Sequence, residues 1–128
     1  MDHPTGIRSY RDLRVWQQAM DLAEASYRTT REFPKEELYG FTSQIRRAAV
    51  SVAANIAEGH GREGRGEFVQ FLRVAQGSLK ELETHLLLSH RVELATEKTV
   101  EPLLGRCEAT GKMLRALIRS LQKKNSES

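Results

Sequence analysis

The chain has 128 residues, a formal net charge of +3, 29% charged and 39% hydrophobic residues, and a single cysteine, Cys107. That length suits one domain with its own core, the lone thiol excludes an internal disulfide, and no run of about 18 apolar residues offers a membrane-spanning helix. The polar opening Met1 to Tyr10 carries Pro4 and Gly6 in place of an apolar export signal, so the expected location is the cytoplasm, with no membrane partner.

Helix formers dominate, and the apolar residues recur at helical spacing. A first helix is expected over about residues 11–33, with Leu13, Trp16, Met20, Ala23 and Tyr27 as its seam, at steps of 3, 4, 3 and 4. Pro34 ends it, because proline disfavours helical geometry in the residue before it. A second is expected over 41–58. Phe41, Ile45, Ala49, Val52 and Ile56 share one face, Val50, Ala54 and Ala57 occupy much of another, and Gln44, Arg47, Ser51, Asn55 and Glu58 form a narrow polar stripe. A surface helix normally shows a broad polar face. This helix is therefore expected to be covered on more than one side, either by tight central packing or by another subunit.

The run Gly59-His60-Gly61-Arg62-Glu63-Gly64-Arg65-Gly66 reads as a turn whose glycines end the second helix. A third helix follows over 66–90 with the seam Phe68, Leu72, Ala75, Leu79, Leu82 and Leu86. The fourth, over 98–123, has Leu104, Cys107, Gly111, Leu114, Ile118 and Leu121, with a frayed tail after Lys123. Capping at Thr99 places Pro102 in the first turn, whereas capping at Thr96 places it inside the helix. Short connections favour antiparallel neighbours. The expected fold is one all-α domain over residues 1–128, an up-down-up-down antiparallel four-helix bundle.

That threading gathers charge. One end collects Arg8, Arg11, Arg14, Arg62, Arg65, Arg73, Arg115, Arg119, Lys123 and Lys124 against Asp12, Glu58, Glu63 and Glu67; the other end mixes both signs. Lys112, Arg115, Arg119 and Lys123 also form a stripe opposite the leucine seam of the fourth helix. Complementing a helix C-terminus is the bland explanation of such cations. The functional one is phosphate contact, salt-sensitive and largely independent of sequence. The candidate nucleic-acid contacts are Arg11, Arg14, Arg62, Arg65, Arg115, Arg119 and Lys123.

No catalytic constellation emerges, and an enzyme is not expected. His3, His60, His85 and His90 show no zinc-binding spacing, and no metal or cofactor is expected. Cys107 reads as a core residue. The glycine-rich turn lacks the Gly-Lys-Ser/Thr ending of a phosphate cradle. Glu58 and Glu81 could form an acid pair, but the threading separates them along the bundle axis. A register-setting buried network, such as Arg47 with Glu81, is preferred.

The block Gln44-Ile45-Arg46-Arg47-Ala48-Ala49-Val50-Ser51-Val52-Ala53-Ala54-Asn55-Ile56-Ala57-Glu58-Gly59 resembles the signature of the bacterial four-helix-bundle proteins encoded within 23S rRNA intervening sequences. Phe68, Phe71-Leu72 and Ala75-Gln76-Gly77-Ser78-Leu79-Lys80-Glu81-Leu82-Glu83-Thr84 resemble its second hallmark. Tyr10 to Gln17, Phe33-Pro34 and Glu37-Leu38-Tyr39-Gly40 match too, so the likeness covers about residues 10–122. Ala53 departs from it, standing where proline is common. The resemblance implies a ring-shaped homopentamer and kinship with the accessory proteins of diversity-generating retroelements, basic pentameric bundles that partner a reverse transcriptase and bind nucleic acid. It brings no catalytic residue. Two functions follow as expectations: non-specific RNA or DNA binding through the basic end, or an adaptor role, for example toward a reverse transcriptase.

Overall fold

The computed structural model describes residues 9–127, with side chains to Lys123. Arg8 of the expected basic end, His3 and the side chain of Lys124 lie outside the described residues. Four helices run α1 Arg14–Thr30, α2 Ser43–His60, α3 Arg65–Arg91 and α4 Glu97–Glu127, and no strand occurs among the described residues. Helix α1 packs on α2 and α4, and α3 packs on the same two. With short turns between consecutive helices, the result is an antiparallel up-and-down bundle, as the periodicity predicts.

A 3-10 turn, Tyr10–Asp12, leads into α1. Ser9 closes it reciprocally: its hydroxyl accepts from the Arg11 N–H at 3.1 Å, and the Asp12 carboxylate accepts from the Ser9 N–H at 3.3 Å. The buried face of α1 is Val15, Ala19, Leu22, Ala23, Ser26 and Thr30. This corrects the expected seam in part, since its Leu13 and Ala23 are buried. Trp16 is only half-buried, and Met20 and Tyr27 are 45% and 41% exposed. The core face holds small residues instead, including hydroxyls satisfied within the helix: Ser26 donates to the Leu22 carbonyl and Thr30 to that of Ser26, both at 2.8 Å. The bulky residues lie one position round, on the flank toward α2, where the Arg46 guanidinium covers the Tyr27 ring at 4.5 Å.

α1 ends at Thr30, short of the expected 33, and the following connection is not a plain loop. A 3-10 turn, Lys35–Glu37, runs into a π-helical turn, Leu38–Thr42, kinked at Gly40, where the Glu37 carboxylate accepts from the Phe41 N–H. Helix α2 then buries Ile45, Ala48, Ala49, Val52, Ala53, Ile56 and Gly59. Its second apolar face is open in the single chain: Val50 and Ala54 are exposed and Ala57 is half-buried.

Gly59 has a different task from the one its loop-like surroundings suggest. It belongs to α2, and a Cβ there would stand 2.6 Å from Phe71 Cβ and 3.0 Å from Phe68 Cδ1. Close approach of α2 to α3, not chain reversal, requires the glycine. Further along the same contact, Ser51 and Ser78 hydroxyls share a hydrogen bond at 2.8 Å, and the Asn55 amide donates to the Ser51 carbonyl at 2.8 Å. The register is thus held by neutral hydrogen bonds. Of the two forms expected for a register-setting network, hydrogen bonds or a buried ion pair such as Arg47 with Glu81, the ion pair is absent among the described residues: Glu58 bonds Arg62 at 2.9 Å on the surface, and Glu81 is half-exposed beside His85.

The seams of α3 and α4 follow expectation at Leu72, Ala75, Leu79, Leu82 and Leu86 and at Cys107, Gly111, Leu114 and Ile118, whereas Phe68, Leu104 and Leu121 are only half-buried and Val69, Leu103 and Thr110 are buried. Between them, Glu93 takes φ 65, and the Leu94 N–H reaches the Ser89 carbonyl at 2.9 Å, closing α3. Thr96, not Thr99, caps α4: its hydroxyl accepts from the Thr99 N–H at 3.2 Å. Pro102 therefore lies inside the helix, on its exposed side. The missing N–H leaves the carbonyl one turn back, on exposed Lys98, to water. At its other end α4 continues to Glu127, beyond the expected stop at 123.

Candidate nucleic-acid interface

The start of α1, the end of α2, the start of α3 and the end of α4 share one end of the bundle, because consecutive helices run antiparallel. The cross-helix contacts fix the levels. Gly59 meets Phe68 and Phe71, Leu79 meets Gly111, and Arg46 reaches back to Thr30.

All seven predicted contact residues are exposed, but they occupy different settings. Arg11 lies over the Tyr10 ring at 5.9 Å in the leading turn. Arg62 is partly spent, bonded to Glu58 at 2.9 Å and stacked on the Phe71 ring at 4.9 Å. Arg14 and Arg65 are the first residues of α1 and α3. A cation at a helix N-terminus opposes the helix dipole, so dipole complementarity gives no reason for either.

The structure brings Arg115 and Arg119 together with a residue the sequence-based candidate set lacks. Arg73, on α3, joins them around a hollow of about 270 Å³ that Gln76, Ile118 and Gln122 complete. Arg115 also borders a larger groove of about 840 Å³ between α3 and α4. Leu79, Leu87, Leu104 and Gly111 contribute to its walls, and Lys80, Lys112, Glu83 and Glu108 are its other charged residues. Each acid has a lysine at hand: Lys80 bonds Glu83 at 3.0 Å and Lys112 bonds Glu108 at 3.5 Å. Among the described residues, no carboxylate pairs with Arg73, Arg115 or Arg119. The sequence did carry a signal for Arg73, since Arg73, Gln76 and Lys80 step by 3 and 4 along the flank of the leucine seam.

Helix length settles the bland explanation of the α4 stripe. The dipole acts within about the last turn. With α4 ending at Glu127, Arg115 and Arg119 stand twelve and eight residues before the end, and only Lys123 lies close to it. Arg115 and Arg119 are cations on the middle of a helix flank.

The groove offers little covalent chemistry. Cys107 contributes to its wall but is fully buried, and its thiol is pushed up to about 12 by burial first and by Glu83 next, with Lys80 opposing. At neutral pH it is a protonated core residue, not a nucleophile. No group of three or more His, Cys, Asp or Glu among the described residues is placed to hold a metal. No described helix is long and apolar enough to cross a membrane.

A protein of unknown function from the S23 ribosomal protein family of Bacteroides thetaiotaomicron shares this fold, with a TM-score of 0.73 at 24% identity. The match covers 81% of this chain and 97% of that one. No curated protein matches the chain. The family described as 23S rRNA-intervening sequence protein matches residues 11–116, nearly the whole bundle, and the chain belongs to that family.

Proposed function

We propose that this protein is a non-catalytic, self-assembling bundle that binds RNA or DNA through phosphate contacts, without sequence preference. One observation carries the reading: Arg73, Arg115 and Arg119 converge on one hollow with no carboxylate partner among the described residues. Clustered guanidinium groups repel one another, and a polyanion relieves that repulsion while releasing its own counterions. Arg11, Arg14, Arg62, Arg65 and Lys123 lie at the same end and extend the field. Compared with the basic tip read from sequence, the centre of binding moves onto the α3/α4 flank.

Assembly is supported by surplus apolar surface on the α1/α2 face. Met20, Tyr27 and Val50 are 41–45% exposed there, Leu38 is 47% exposed and Tyr39 91%. Contiguous apolar surface of this kind is the usual mark of an interface. A ring of five is the form the family resemblance implies, and it would multiply the basic flank by symmetry. Light scattering is expected to give a species several times the 14.5 kDa chain, and a monomer at micromolar concentration contradicts assembly.

The binding test is Arg115→Glu with Arg119→Glu, followed by filter binding to a labelled RNA and a labelled DNA. Affinity is expected to fall on the order of tenfold or more for both. Unchanged affinity removes this flank from the function. A second reading, an adaptor for a protein such as a reverse transcriptase, draws on the apolar walls given by Leu79, Leu87 and Leu104. A stoichiometric protein partner retained after nuclease treatment, with no affinity for nucleic acid, would favour it.

A further inference from the structure

The aromatic residues are distributed unevenly. No Phe, Tyr or Trp occurs after Phe71, so α4 and nearly all of α3 carry none. The aromatic side chains elsewhere are largely engaged: Tyr10 edge-on with Trp16, Phe41 with His85, Phe68 with His60, and Phe71 beneath Arg62. Tyr39 is strongly exposed, but it follows α1 and precedes α2, at the end of the bundle away from Arg73 and Arg119. The α3/α4 flank therefore has cations and no stacking platform.

Its cations are also regularly placed. At about 1.5 Å per residue, Lys112, Arg115, Arg119 and Lys123 span about 16 Å along one helix. Arg73 and Lys80 face them from α3 across the groove, and packed helix axes lie about 8–10 Å apart. Two helix-anchored rows of exposed cations, in which Lys80 and Lys112 would exchange Glu83 and Glu108 for phosphate, face the two strands of a duplex. In a duplex each strand advances one phosphate per roughly 3.4 Å, so each row meets several, whereas a flexible strand must be ordered to meet any. Binders of single strands offset that ordering by stacking bases on aromatic rings, worth about 1–3 kcal/mol per base. This flank has no aromatic ring to offer a base.

We infer that the α3/α4 flank selects double-stranded nucleic acid, gripping the phosphates of both strands, over unstructured single strands. The inference rests on the nucleic-acid reading above and adds the class of ligand. RNA and DNA duplexes share the chemistry it uses.

The test is competition by fluorescence anisotropy at fixed salt, using a 20-base-pair DNA duplex, an RNA duplex of equal length, and oligo-dT and oligo-U of equal length. At least one duplex is expected to bind ten or more times tighter than the matching single strand. That preference is expected to shrink to within about twofold in the Arg73→Gln, Arg115→Gln, Arg119→Gln variant. Equal or tighter binding of oligo-dT and oligo-U overturns the duplex inference while leaving nucleic-acid binding intact. A duplex preference that persists unchanged in the triple variant also overturns it, by placing the selective surface elsewhere. No binding of any of the four overturns both.

Discussion

Helix α3 has two neighbours and treats them differently. Against α2 it is closed: Gly59 lets the backbones approach until Phe68 and Phe71 fill the space a side chain would need, and Ser51 bonds Ser78 across the contact. Against α4 it is open: Gly77 has no atom within 4 Å of where a Cβ would stand, and the groove beside it holds about 840 Å³. Glycine serves close packing on both sides, since a Cβ on Gly111 of α4 would stand 3.3 Å from Leu79 Cδ2, but on the α4 side Gly77 looks onto open space. Small and neutral groups meet inside the closed contact, with the charged Arg62 and Glu58 on its exposed edge, while the open side keeps its arginines and lysines in water. Packing specificity and charge display have been assigned to opposite flanks of a single helix.

The contrast can be broken most directly at its glycines. Gly59→Leu puts a branched side chain where even a Cβ clashes, so it is expected to lower stability by about 1–3 kcal/mol or more in urea unfolding. A wild-type midpoint would mean that α2 and α3 are not in close contact there. Gly77→Ala has the opposite sign. It removes a flexible residue from a helix interior with room to spare, and is expected to add about 0.5–1 kcal/mol. Destabilisation at Gly77 would show that the groove is filled in solution.

The smallest effect concerns the wall between the two sides. Cys107 is fully buried, so a thiol reagent at pH 8 is expected to leave the native protein unmodified and to react once it is unfolded. Its folded pKa is raised, from 9.0 to about 12, chiefly by burial. The associated stability is therefore complete below about pH 9 and is lost as pH rises toward 12. A Cys107→Ala variant is expected to show a shallower alkaline decline. Rapid modification of the native thiol would mean that the groove opens through to the core.

The two sides were not equally legible in the sequence. The seam of α3 could be read almost directly, because Leu72, Leu79, Leu82 and Leu86 recur at 3-4 spacing and are buried, while α4 was legible at Cys107, Gly111, Leu114 and Ile118 but not at half-buried Leu104 and Leu121. In α1 the link between residue size and burial fails. Ala19, Ser26 and Thr30 face the core while Trp16, Met20 and Tyr27 flank it, so a reading by residue size selects the wrong stripe. Small residues are favoured where α2 comes close, and closeness is a tertiary property. Gly59 was misread for the same reason, since glycines clustered before an arginine-rich stretch look like a turn until Phe68 and Phe71 are seen against one of them. The basic end followed from threading alone. The convergence of Arg73 on Arg115 and Arg119 did not, because it depends on the stagger of α3 against α4.

The most direct test of the central claim is the salt dependence of duplex affinity for the wild type and the Arg73→Gln, Arg115→Gln, Arg119→Gln variant. Each phosphate contact contributes about 0.9 to the slope of log affinity against log salt. Loss of three contacts is expected to flatten that slope by roughly 2 to 3. Parallel lines for the two proteins would contradict the assignment of phosphate binding to the α3/α4 flank.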